Sequence, residues 1–217
     1  MAEPSSDAAE ARRTRQQRRR DRSRDEILAA ARTVLLRDGI TAVTLEAVAR
    51  EAGMSKTGLY YYFASKEALV FELVFAALRR QAEEVEARVA TAATGPAALG
   101  AVIGATVEGY ASQMDDFRLA YLLPQVSTAA NLEMSKEQFA RLRPLNDMMF
   151  AAAADLLAAG RKPGPIEPRL LTFLAFLSAI GLLTMKGLVE SMGDPLLYSD
   201  KQMVEALSQI FSRAAKA

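Results

Sequence analysis

The residues best equipped for chemistry in this 217-residue chain stand side by side in one stretch, KTGLYYYF, residues 56–63. An ammonium (Lys56), a hydroxyl (Thr57) and three phenols (Tyr60, Tyr61, Tyr62) are all hydrogen-bond donors, suited to phosphate oxygens and base edges. On a helix successive residues point about 100° apart, so three consecutive tyrosines cannot all face one core. Leu59 and Phe63, at i and i+4, take the inward face, and Lys56, Thr57, Tyr60 and Tyr61 then include exposed positions. A second concentration of donors lies upstream. Residues 11–24 hold eight Arg against one acid, Asp21, a local charge of +7 in a chain whose total is +1. Residues 1–70 carry 13 basic and 10 acidic groups (+3), and residues 71–217 carry 14 and 16 (−2). Such an arm fits either a polyanionic partner or a solvated, disordered tail over residues 1–22, and charge alone leaves both open.

Other chemistries are closed. The chain has no Cys, His or Trp. That removes disulfides, thiolate nucleophiles, Ser-His-Asp triads and the usual zinc sites. Gly53-Met54-Ser55-Lys56-Thr57 begins like a nucleophile elbow but ends in Thr, and no Walker loop or Gly-x-Gly-x-x-Gly occurs. Glu83–Glu84 and Asp115–Asp116 are adjacent acids on helical faces, which solvated surface explains. No catalytic residue, cofactor or metal is expected. An enzyme remains the rival class, to be revived by carboxylates converging in a cavity.

The donors need elements to hold them. Few Gly and Pro with abundant Ala and Leu favour an all-α chain. Residues 25–38 place Ile27, Ala31, Val34 and Leu35 at helical spacing, with Gly39 as a stop. Thr44 precedes LEAVAREA as an N-cap, and Gly53 stands at its C-terminal end. Ser55 opens KTGLYYYF and Ser65 opens KEALVFELVFAALRRQ. Two short helices joined by a tight turn make a helix-turn-helix. Ala49 supplies the small residue at the crossing, Gly53 the positive φ, and Val48, Met54 and Leu59 the inward apolar side chains.

The run from Ile27 to Leu69, above all TLEAVAREAGMSKTGLYYYFASKEAL, resembles the DNA-binding domain of TetR/AcrR-family transcriptional regulators. The resemblance implies that Ser55 caps the recognition helix and that Lys56, Thr57, Gly58 and Tyr61 face bases in the major groove. It also implies that Tyr60, Tyr62 and Lys66 touch phosphates, and that Thr44 begins the preceding helix beside the backbone. Gly58 can contribute only close approach or shape. The family often extends an arm along DNA, a role that the Arg-rich segment would fit.

The implied organisation is all-α: an arm over 1–22, the DNA-binding domain over 23–70, and a helical effector-binding and dimerisation domain over 71–217. The helix starting at Lys66 should continue to about Val89, and Gly95-Pro96 should break the chain. A stripe follows from Leu99 through Tyr110 to Met114. Pro124 should interrupt the next element, and the helix containing Phe139 to Leu156 should kink or break near Pro144. Gly160 to Pro168 reads as a loop, with Pro168 at a helix N1 position. The helix at about 168–191 is apolar nearly all round and must be buried on more than one side; that at about 200–215 is amphipathic. In the family these two pair with their copies in a homodimer; burial in one monomeric core is the alternative. Gly100-x-x-x-Gly104, beside Glu108, reads as close packing of soluble helices.

The family's pocket lies in this domain. Tyr110, Met114, Phe117, Tyr121, Met149, Phe150, Phe173 and Phe176 are candidates for contact with a small apolar effector, with Phe139 and Met148 also available; each could equally be core. The resemblance implies a repressor on a palindromic double-stranded operator, released by an unknown effector. The N-terminus lacks an apolar signal segment, and Leu170 to Met185, 16 uncharged residues, falls short of the roughly 20 that span a bilayer. A cytoplasmic protein with no membrane partner is therefore expected, and a membrane-surface protein using the Arg arm is the second rival.

Overall fold

The structure is a computed structural model that describes residues 6–122, 135–159, 165–192 and 198–215. Among them the fold is all-helical, with α1 (Ser6–Asp38), α2 (Leu45–Glu51), α3 (Lys56–Tyr62), α4 (Lys66–Val89) and α5 (Gly95–Ala111). There follow α6 (Met114–Phe117), a π-helical turn (Arg118–Leu122), α7 (Lys136–Ala158), α8 (Pro168–Ser191) and α9 (Asp200–Ala214). The chain divides into two compact units, residues 1–73 and 74–217, with the boundary inside α4.

In the first unit α1 is much longer than the periodicity of residues 25–38 suggests. A disordered arm over 1–22 is not what the chain adopts from Ser6 onward; residues 1–5 lie outside the described residues. No Gly or Pro stands between Ser6 and Asp38, and Arg, Gln and Ala are good helix formers. Gln17 donates to Asp21 at 2.8 Å and Arg22 pairs with Glu26 at 3.2 Å, both at i,i+4. The helix ends where Gly39, at φ 82°, turns the chain, its N–H bonded to the Leu35 carbonyl. Ile27, Ala31 and Val34 face Val43, Leu45, Val48, Ala49, Leu59 and Phe63 in a small buried core. Met54 is only partly buried.

The second unit is built around α5, which packs against α7, α8 and α9. Gly95 and Pro96 open this helix rather than interrupting the chain before it. Thr94 caps it, and a Cβ on Gly95 would stand 2.7 Å from Leu157 Cα on α7, so the position requires Gly. Gly100 and Gly104 admit α9, with Ser208 Oγ and Val204 Cγ1 at 3.5 and 3.9 Å from where a Cβ would be. The two glycines thus mark close packing of α5 against α9. The stripe through Tyr110 ends with α5 at Ala111, and Met114 sits on α6. α7 runs through Pro144 without a break. Pro124 and residues 160–164 lie outside the described residues.

One face of α8 is buried through Leu171, Thr172, Ala175, Phe176, Ala179 and Leu183. The opposite face is not. Leu170, Phe173, Leu174, Leu177, Met185 and Leu188 are each 38–53% exposed. The expected burial on more than one side is therefore not met within a single chain. Over Pro168–Val189 this helix also reaches 22 residues at mean hydropathy 1.8, long and apolar enough to cross a membrane by length and composition. It exceeds the 16-residue limit drawn from its uncharged core because Lys186 and the apolar residues beyond it prolong the segment.

Candidate nucleic-acid interface

Three local devices set the helix-turn-helix. Thr44 Oγ1 accepts from the Ala47 N–H at 3.0 Å, Ser55 Oγ from Gly58 at 3.1 Å, and Ser65 Oγ from Ala68 at 3.2 Å. Each satisfies an N–H that a helix start leaves open. Between α2 and α3 the chain closes in a Schellman turn. Met54 N–H bonds to the Ala49 carbonyl at 2.8 Å and Gly53 N–H to that of Arg50 at 3.2 Å, with Gly53 at φ 64°. Ala49 is buried at the crossing.

This frame puts the donors of α3 in the open. Lys56 and Thr57 are exposed; Tyr60 and Tyr61 are 49% and 66% exposed, while Leu59 and Phe63 are buried. Tyr62 is half-buried, its ring edge-on to Tyr61 at 5.2 Å. A Cβ on Gly58 would stand 3.1 Å from Ser55 Oγ, the atom that caps its own amide, a tight contact. Lys66 is placed differently from the others. Half-buried, it donates from Nζ to the Ile40 carbonyl at 2.8 Å, tying the start of α4 to the turn after α1. Thr44 and Ser55 likewise use their hydroxyl oxygens as caps, which leaves the hydroxyl hydrogens to donate elsewhere.

Charge around α3 is partly balanced. Glu46 on α2 pairs with Lys56 at 3.5 Å, both side chains exposed. The Ser65 hydroxyl, then the helix-start amide of Glu67 itself, holds the Glu67 carboxyl below the usual range. The Arg37 guanidinium does the same to Asp38, and Arg37 also reaches Glu51 at 3.1 Å.

The helical arm adds contacts that periodicity did not reveal. Arg20 lies over the Tyr61 ring at 5.3 Å and Arg24 over Phe63 at 5.3 Å; Arg24 also pairs with Glu72 at 2.8 Å. Arg20 and Arg24 are i and i+4, a spacing visible in the sequence once the segment is taken as helix. Residues 12–20 are exposed throughout.

In the second unit most of the effector candidates form one connected cluster. Tyr110 is edge-on to Phe117 at 5.6 Å and to Tyr121 at 5.7 Å; Tyr121 lies 6.2 Å from Phe176, which meets Phe150 at 5.3 Å. Met149 is buried near Phe150 and Phe176 in the same core, and Met114 packs beside Tyr110 and Phe117. Phe173 touches Phe150 at 5.7 Å but is 40% exposed on the open face of α8. Phe139 is exposed and Met148 half-buried. Periodicity could not separate these because one apolar residue type serves both core and surface contact.

The family model for bacterial regulatory proteins, tetR family, matches residues 27–73. No curated protein matches the chain in sequence. Among solved structures, a TetR family transcription regulator from Marinobacter aquaeolei VT8 has TM-score 0.67 at 18% identity, over 91% of this chain and 97% of the other. A TetR/AcrR-family regulator from Thermobifida fusca YX-ER1 has TM-score 0.63 at 21% identity, covering 88% and 97%. The transcriptional regulator FadR from Bacillus subtilis, solved in complex with stearoyl-CoA, has TM-score 0.63 at 17% identity, covering 87% and 97%. Residues 27–73 thus match the helix-turn-helix family model of bacterial tetR-type regulatory proteins, and the chain shares its fold with solved TetR-family regulators along most of its length.

Proposed function

We propose that the protein is a ligand-responsive repressor that binds palindromic operator DNA as a homodimer and is released by a small, largely apolar effector. The observation that carries DNA recognition is the capped α3, which leaves Lys56, Thr57, Tyr60 and Tyr61 exposed on a buried Leu59–Phe63 base. Lys56, Thr57, Gly58 and Tyr61 read bases; Tyr60 and Tyr62 hold phosphates, beside the ends of α2 and α3 that Thr44 and Ser55 cap. Lys66 donates one hydrogen to Ile40 and keeps two further N–H donors for a phosphate. The helical arm brings Arg side chains to the same side of the unit as Tyr61.

Homodimerisation through α8 and α9 is supported by the open apolar face. Fully burying one large apolar side chain contributes about 1.5–3 kcal/mol, so covering six that are half open contributes roughly 5–9 kcal/mol. A second copy related by a two-fold axis covers both faces at once and presents two α3 helices about 34 Å or slightly more apart. An apolar effector agrees with the aromatic cluster of the second unit, and the Bacillus subtilis relative carries stearoyl-CoA in its solved complex.

Selection of bound sequences from random duplex DNA tests the reading, with wild type and Lys56→Ala run in parallel. A two-fold symmetric motif is expected, and Lys56→Ala should change the preferred base at one position per half-site. An asymmetric motif, or none above non-specific binding, would overturn it.

A further inference from the structure

Two phenols in the second unit have buried hydroxyls that find no full hydrogen-bond partner among the described residues, each having only the other phenol nearby. Tyr110 is 3% exposed, and its hydroxyl and that of Tyr121 are both shut off from solvent. Leaving a buried hydroxyl unpaired costs about 1–3 kcal/mol, and two such groups with rings 5.7 Å apart concentrate that cost in one place. Packing alone gives no reason for them. Phe at position 110 would keep the edge-on contact with Phe117, and Phe at position 121 the tilted contacts with Phe117 and Phe176, and either would lose the penalty. Tyr121 moreover sits in the π-helical turn Arg118–Leu122, a rare backbone state that recurs at functional sites.

We infer that Tyr110 and Tyr121 are paired hydrogen-bond donors for an uncharged carbonyl oxygen on an otherwise apolar effector, whose body lies against Phe117, Phe150 and Phe176. The inference rests on the effector-binding part of the proposed function and names the chemistry of that site. Burial raises both phenols, Tyr121 to about 12 and Tyr110 further, helped by the neighbouring Tyr121, so at neutral pH both carry their protons and can donate. The charge balance selects an uncharged acceptor. The guanidinium near Tyr110 belongs to Arg80, which is ion-paired with the buried Asp116, so it offers a carboxylate no free countercharge. The same Tyr110 forms part of the wall of a cleft of about 410 Å³, with Arg80, Gln81, Ser112, Gln113 and Asp116, an opening on the side of α4 and α5.

Calorimetric binding of three probes, 2-undecanone, n-undecane and decanoate, to the full chain separates the possibilities. Wild type should bind the ketone at least about tenfold tighter than the alkane, the gain of one or two modest hydrogen bonds, and tighter than decanoate. Tyr110→Phe and Tyr121→Phe should each narrow the ketone–alkane ratio, and the double variant should abolish it while still binding n-undecane. Thermal melts check that the variants fold, and removal of orphaned hydroxyls should leave Tm equal or higher. Equal binding of ketone and alkane by wild type, a preference that survives in the double variant, or no ketone binding overturns the inference. Tighter binding of decanoate overturns the uncharged class. Gel shifts on the selected duplex are run on the same samples. Specific shifts with no phenol dependence sink this inference alone, whereas loss of specific DNA binding in wild type sinks the regulatory reading itself.

Discussion

Two glycines of the first unit permit a torsional test with nothing else in the way. Gly39 sits at φ 82°, ψ 171°, and Gly53 at φ 64°; a Cβ on either would meet no atom within 4 Å. The cost of alanine is therefore backbone strain alone. At Gly53 the left-handed helical region costs an L-residue about 1–2 kcal/mol. Alanine also reduces the freedom of the unfolded chain, which offsets about 0.4–1 kcal/mol. The net loss for Gly53→Ala is about 1 kcal/mol, and Gly53→Asn should lose less, since Asn visits this region readily. At Gly39 the backbone lies in a region used almost only by Gly, at a cost of order 1–3 kcal/mol, so Gly39→Ala should lose more, about 2 kcal/mol net. Native-state hydrogen exchange of the Val48 and Leu59 amides measures the stability of this unit directly. The reasoning fails if Gly39→Ala is the milder of the two, or if Gly53→Asn is no better than Gly53→Ala.

Three further outcomes follow from the same geometry. Deleting residues 1–19 should remove helix measurable by circular dichroism and make the slope of log affinity against log salt shallower by several units, at about 0.9 per phosphate neutralised; an unchanged slope would leave the arm without a part in DNA binding. If α8 forms the proposed homodimer interface, wild type should sediment as a dimer and Leu174→Glu on its open face as a monomer with far-UV dichroism intact; a variant that still sediments as a dimer would move the interface elsewhere. Alkaline titration followed by tyrosine absorbance should find Tyr110 and Tyr121 still protonated above pH 10. Because their folded pKa values lie above the unfolded value near 10, the associated stability is full below pH 10 and is lost as pH rises toward 12 and beyond. Tyr110→Phe with Tyr121→Phe should blunt that alkaline loss.

The helix-turn-helix was legible in the sequence because its determinants are local. A cap bonds an amide three residues on, a Schellman glycine answers to its own helix, and Leu59–Phe63 periodicity defines an inward face without reference to distant residues. Thr44, Gly53, Ser55 and Ser65 accordingly stand where the spacing placed them. Where distant groups compete for one side chain, sequence alone was mute. That Lys66 also ties down Ile40, 26 residues earlier, through its carbonyl has no trace in the spacing. The Arg run reads as a tail because charge argues for solvation; continuous helix formation from Ser6 places Arg20 and Arg24 against Tyr61 and Phe63 instead. An apolar helix such as α8 shows in its composition that it must be covered, but only the packing of α5 and α7 selects which face they cover and which six side chains stay open. Likewise nothing in the spacing of Tyr110 and Tyr121 separates them from ordinary core. Their hydroxyls are distinguished by the absence of a full partner among the described residues, and whether a buried polar atom has a partner is decided by every chain segment that reaches it.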